Sequence, residues 1–104
     1  MLVAFCVAQE KVLELEVDLM MRDLPEPETI RRLRASQRIA REQSRFFFAE
    51  DRRREAKLIG SWADSFRVSI RRARLGATGQ KTLQPAVLAL RRVDRPLSCE
   101  LDLE

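Results

Sequence analysis

The chain has 104 residues, with 20 Lys plus Arg against 16 Asp plus Glu, a formal charge of +4, and apolar residues at 45%. That is one small domain with a modest core. His, Tyr and Asn are absent and 17 of the 20 cations are Arg, so the chain has no imidazole base, no proton shuttle near neutral pH and no His-type metal ligand. No phosphate-cradling glycine loop, nucleophile triad or supported carboxylate pair occurs, so the sequence reads as non-enzymatic, with no catalytic residue, cofactor or metal site.

Cys6 and Cys99 stand near opposite ends, in no close pair of the kind that holds zinc, and are read as reduced structural thiols rather than as a bridge. Charge divides the chain into three: an acidic and apolar segment 1–25, a basic helical region 26–75 and a balanced segment 76–104. The net charge is −5 over residues 1–28 and +9 over 29–75. Such a dipole suits an acidic segment folded back on a basic one, or a basic surface for an anionic partner.

Met1 to Ala8 is apolar but ends at Gln9, Glu10 and Lys11, too short for a membrane span and without the basic start of a secretory signal. Between Val12 and Leu19, Leu13, Leu15, Val17 and Leu19 alternate with Glu14, Glu16 and Asp18, which predicts a half-buried strand. A continuous helix from about Val3 to Arg22 competes with it, because Leu, Glu and Met favour helix.

Asp23, Leu24, Pro25 and Glu26 mark a helix start. No Pro beyond Pro27 and no Gly interrupts the chain up to Ile59, so one long basic helix is predicted over about 26–59, near 50 Å at 1.5 Å per residue. Gly60 followed by Ser61 and Asp64 predicts a new start, and Ile59, Trp62, Ala63, Phe66, Ile70 and Ala73 give the next helix an apolar face that ends at Gly76. A loop is read over 77–82, then a short helix opened by Pro85, with Val87, Leu88, Leu90 and Val93 as its contacts, and halted by Pro96. Alternating Leu97, Cys99, Leu101 and Leu103 predict a strand at the C-terminal end. The expected fold is mainly α: a long basic helix plus shorter amphipathic helices, with short β-strands at the two ends.

On the long helix Arg31, Arg34, Arg38, Arg41, Arg45 and Arg52 fall within a sector about 80° wide at 100° per residue. The clusters Arg52, Arg53, Arg54 and Arg71, Arg72, Arg74 add to them. Arg holds phosphate through a planar fork that stays charged, so this face is the candidate nucleic-acid or anion-binding surface. A solvated face paired with Glu42, Glu55 or the acidic segment is the competing reading. Phe46, Phe47 and Phe48 span about 200° of helix and cannot all face one core, so with Leu33 and Ala40 they are the expected partner interface, toward a second copy or a helical protein. A strand followed by two helices resembles ribbon-helix-helix DNA-binding proteins in topology alone, and the acidic face of Glu14, Glu16 and Asp18 argues against membership.

Two functions follow from this. The first is a cytoplasmic (or nuclear) accessory protein binding nucleic acid or another anionic partner through the Arg face. The second is a helical interaction module or assembly subunit, with its charges serving pairing to an acidic protein. Neither involves a membrane.

Overall fold

A computed structural model describes the backbone of residues 2–21, 24–77 and 80–102, and the side chains of 7–21, 24–77 and 81–92. Four helices follow one another: α1 (Leu2–Met21), α2 (Glu26–Ala49), α3 (Arg53–Arg74) and α4 (Gln80–Asp102). The connections are short, so sequential neighbours run antiparallel, and cross-helix pairs such as Asp18 with Arg32, Gln37 with Ala63 and Trp62 with Ala86 carry that order. α1 packs on α2 and α4, and α3 packs on α2 and α4, while the diagonal pairs do not meet among the described residues. The result is a four-helix ring of 40 × 22 × 18 Å.

The mainly α expectation holds, and the strand expectations do not. Residues 12–19 are helical, because Ala8, Val12, Leu15 and Leu19 recur at spacings of four, three and four and bury one face. The alternation is divided by the helix, with Leu15 and Leu19 inward and Leu13 and Val17 outward. The predicted C-terminal strand is likewise helical as far as Asp102, and its last two residues, like the side chains of Cys6 and Cys99, lie outside the described residues.

The predicted long helix is two helices. Asp51 takes a left-handed conformation with φ 59°, Asp51 N–H donates to Phe48 O at 3.1 Å, and Arg52 N–H donates to Phe47 O at 2.9 Å. This pair of bonds satisfies the last carbonyls of α2 and turns the chain back. The same arrangement ends α3, where Gly76 (φ 90°) donates to Ala73 O and Ala77 N–H to Arg72 O, as the sequence predicts for Gly76. Asp tolerates the left-handed region at a cost that Gly does not incur. Asp51→Gly is therefore expected to raise stability by about 0.5–1 kcal/mol and Gly76→Ala to lower it by about 1 kcal/mol, read from urea midpoints. Nothing lies within 4 Å of a Cβ added at Gly76, so that loss is one of backbone conformation alone.

Gly60 and Ser61 lie inside α3 rather than at its start. A Cβ at Gly60 would meet Ser44 Oγ at 3.2 Å, and Ser44 Oγ donates to Ala56 O at 2.8 Å, so the glycine lets α2 and α3 approach closely. α4 likewise runs through Pro85 and Pro96. Pro85 lacks the N–H that Lys81 O would accept within the helix, and Arg72 of α3 donates a guanidinium bond to that carbonyl at 3.2 Å. Leu83, Ala86 and Leu90 meanwhile hold α4 on the core, with Val87 half-buried and Leu88 exposed.

The core centres on Trp62, Phe47, Phe66, Leu15, Leu33, Ile59 and Leu83, and every apolar residue predicted for the face of α3 is buried. Trp62 Nε1 donates to Ala86 O at 3.2 Å, and its ring packs on Phe66 at 5.3 Å. The core side of α2 also carries a polar row, Thr29, Ser36 and Gln43, all buried. Gln43 Nε2 has no hydrogen-bond partner among the described residues. An unpaired buried donor costs about 1–3 kcal/mol. Gln43→Leu, close in volume, is expected to stabilise the fold by about 1–2 kcal/mol in urea unfolding with no change in slope.

Candidate nucleic-acid interface

Two heptad rows on each helix of the α2–α3 hairpin decide where its cations point. On α2 the row containing Gln37 and Ser44 is the contact row, since these side chains bond Ala63 O at 3.1 Å and Ala56 O at 2.8 Å on α3. Outward from it follow Arg34 and Arg41, then Arg31, Arg38 and Arg45. On α3, Gly60 faces Ser44, and its row continues through Arg53, Arg67 and Arg74. Asp64 meets Arg41 at 3.5 Å, and its row continues through Lys57 and Arg71. The antiparallel hairpin sets these rows side by side. Five cations of α2 and five of α3 thus share one outward face, with Asp64 among them and Glu28, Asp51 and the exposed Glu42 at its margins.

Arg31, Arg34, Arg38, Arg45, Arg53, Arg67, Arg71 and Arg74 are all exposed, and Arg41 is half-buried. Arg34, Arg38, Arg45, Arg67, Arg71 and Arg74 make no ion pair among the described residues. Arg31 reaches Glu28 at 3.5 Å and Arg53 reaches Asp51 at 3.5 Å, both as largely exposed guanidiniums in pairs that add little stability. Helical side chains free of partners in water can turn toward an anion without first breaking a bond.

Three of the sequence-predicted cations stand apart from this face. Arg52 lies in the turn between α2 and α3, stacked over Phe47 at 5.3 Å and bonded to the buried Glu55 at 3.1 and 3.3 Å, so it is an internal strut. Arg72 is turned toward α4 by its bond to Lys81 O. Arg54 is exposed on the side of α3 away from α2, three positions after Asp51. Lys57 and Arg67, by contrast, belong to the face although they stand outside the arginine clusters of the sequence. Their signal was the seven-residue spacing from Asp64 and from Arg74.

The acidic segment does fold back on the basic one, but at a different place. Asp18 of α1 and Glu28 bind Arg32 on the opposite flank of α2. The hydrogen bond from Arg32 to Asp18 raises the guanidinium above its ordinary range; burial opposes this, and the charges of Asp18 and Glu28 add to it. One arginine is thereby neutralised and the outward rows are left uncovered.

Of the expected partner residues, Leu33, Ala40 and Phe47 are buried in the chain's own core, because they fall on the row that faces the centre of the ring. Phe46 and Phe48, 100° to either side, remain exposed. Among the described residues no group of three or more acidic or cysteine side chains could hold a metal, and no helix is long and apolar enough to cross a membrane. Comparison with protein-family models, curated proteins and solved structures returns no match.

Proposed function

We propose that the chain is a non-enzymatic binding protein that lies along double-stranded nucleic acid through the α2–α3 face, contacting phosphates rather than bases. The observation that carries this is the convergence on one surface of guanidiniums from both helices, six of which make no ion pair among the described residues, while Asp18 of the acidic segment is engaged by Arg32 on the opposite flank of α2. Two helices side by side are too broad for a major groove about 12 Å wide, so the face rests on the backbone. Its chemistry agrees. Asn is absent from the chain and Gln37 is committed to Ala63 O, so adenine edges have no bidentate reader here, while the breadth of the paired helices keeps the Arg side chains on phosphates rather than on guanine edges in the groove. Phosphate contacts position a protein without conveying sequence.

Arg31, Arg38 and Arg45 are successive heptad positions, about 10 Å apart along the helix, and so meet separate phosphates. If about five phosphates are neutralised, the logarithm of affinity falls with the logarithm of salt concentration at a slope near −4.5. Fluorescence anisotropy on two duplexes of unrelated sequence across a salt series tests this. Near-equal affinities with a steep slope are expected; no binding at low salt, or binding indifferent to salt, overturns the reading.

A further inference from the structure

α1 carries two apolar stripes and the chain covers one. Ala8, Val12, Leu15 and Leu19 face the core, while Leu13, Val17 and Met20, also spaced by four and three, are 47%, 56% and 61% exposed. This second stripe borders the α1–α4 seam, the least intimate of the four among the described residues and across the ring from the basic hairpin. On the other lip stands Leu88 of α4, 46% exposed, above a cleft of about 270 Å³ that Glu16 shares with Val87, Leu88 and Arg91. Exposed apolar rows of this kind mark association surfaces.

We infer that a second copy of the chain covers this face, through a two-fold axis parallel to the long axis of the bundle. The charges select both occupant and axis. Toward this face α1 presents Glu10 and Glu16, whereas α4, among the described residues, presents Lys81 and Arg91. A two-fold along the bundle lays α1 antiparallel on α4 of the other copy at the same height. Since Glu16 stands level with the stretch from Lys81 to Arg91, Glu10, six residues back along α1, stands level with Arg91 of the partner subunit. A two-fold across the bundle would instead set α1 on α1, with acids facing acids, and α4 on α4, with cations facing cations; juxtaposed like charges disfavour that arrangement. A long face of a 40 × 22 × 18 Å body offers roughly the 800 Å² per partner of a standard interface.

The dimer stands independently of the nucleic-acid reading, and one consequence rests on it. With the α1–α4 faces together, the two hairpin faces point away from each other, so one dimer holds two duplexes rather than wrapping one.

Sedimentation equilibrium of the full chain is the test, and a dimer at micromolar concentration is expected. Leu13→Glu and Val17→Glu alter exposed positions, so they should keep the helical circular-dichroism signal and sediment as monomers. Each charge pair occurs twice by symmetry, so Glu10→Arg or Arg91→Glu alone should weaken the dimer by about tenfold, and the two together should restore it. A monomeric wild-type chain overturns the inference, as does a dimer that survives Leu13→Glu and Val17→Glu but dissociates with Phe46→Ser and Phe48→Ser. Failure of the paired charge reversal to restore association overturns the axis. Capture of a free labelled duplex by an immobilised one reads the bridging, which monomeric variants should lose while still binding single duplexes. A dimer that binds no duplex refutes the nucleic-acid reading and leaves the dimer in place.

Discussion

Replacing Arg34, Arg38 and Arg45 together by Ala is expected to lower affinity for duplex DNA on the order of 100-fold near 0.1 M salt. It should also reduce the salt slope by about one unit per residue removed. These three are the cleanest probes of the face because each is exposed on α2 and none makes an ion pair among the described residues. Their loss should leave the unfolding midpoint within about 0.5 kcal/mol of wild type. Arg32→Ala is the matched control. Its guanidinium sits on the α1 side of α2, bound to Asp18 and Glu28, so its removal should alter stability and leave the salt slope unchanged. A triple variant that binds as the wild type does would mean that the basic face is solvated charge and nothing more. Anisotropy titrations at four or five salt concentrations, with circular dichroism on the same samples, separate these outcomes.

Trp62→Ala should be the most damaging single change, costing about 3–5 kcal/mol. The indole is fully buried, packs on Phe66 and donates to Ala86 O, so it joins α3 to α4 by area and by a directed bond at once. Against a total stability of about 5–15 kcal/mol for a small domain, that loss leaves a substantial unfolded fraction near physiological temperature. Trp62→Phe keeps most of the apolar area but gives up the N–H bond and some volume, so an intermediate loss of about 1–2 kcal/mol is expected. Equal losses for the two variants, measured by urea unfolding, would show that the core accommodates a cavity at this position without collapse.

Residues 53–74 show how far the sequence alone reaches. Ile59, Trp62, Ala63, Phe66, Ile70 and Ala73 recur at one helical period, and all are buried. At α1 two periods coexist in the same letters, and the choice between them was made by what the helix could pack against: Ala8, Val12, Leu15 and Leu19 find α2 and α4. The end of α2 was illegible for a different reason. Its stop is an Asp in the left-handed conformation, a role the sequence signals clearly only when Gly fills it, as it does at Gly76. The prolines of α4 misled in the opposite sense, since the carbonyl freed by Pro85 is satisfied by Arg72 from a neighbouring helix.

The sequence by itself determined a helical chain without imidazole chemistry, a segregated charge and a sector of arginines on α2, because composition and local period are properties of a single strand of residues. Which arginines remain available was decided by the tertiary structure alone. Folding the predicted rod at Asp51 brought Arg67, Arg71 and Arg74 beside Arg31 and Arg34, turned Arg52 inward to Glu55, and set Asp18 on Arg32. Charge pairing depends on distances of a few ångströms between residues far apart in the chain, and such distances exist only once the helices have packed.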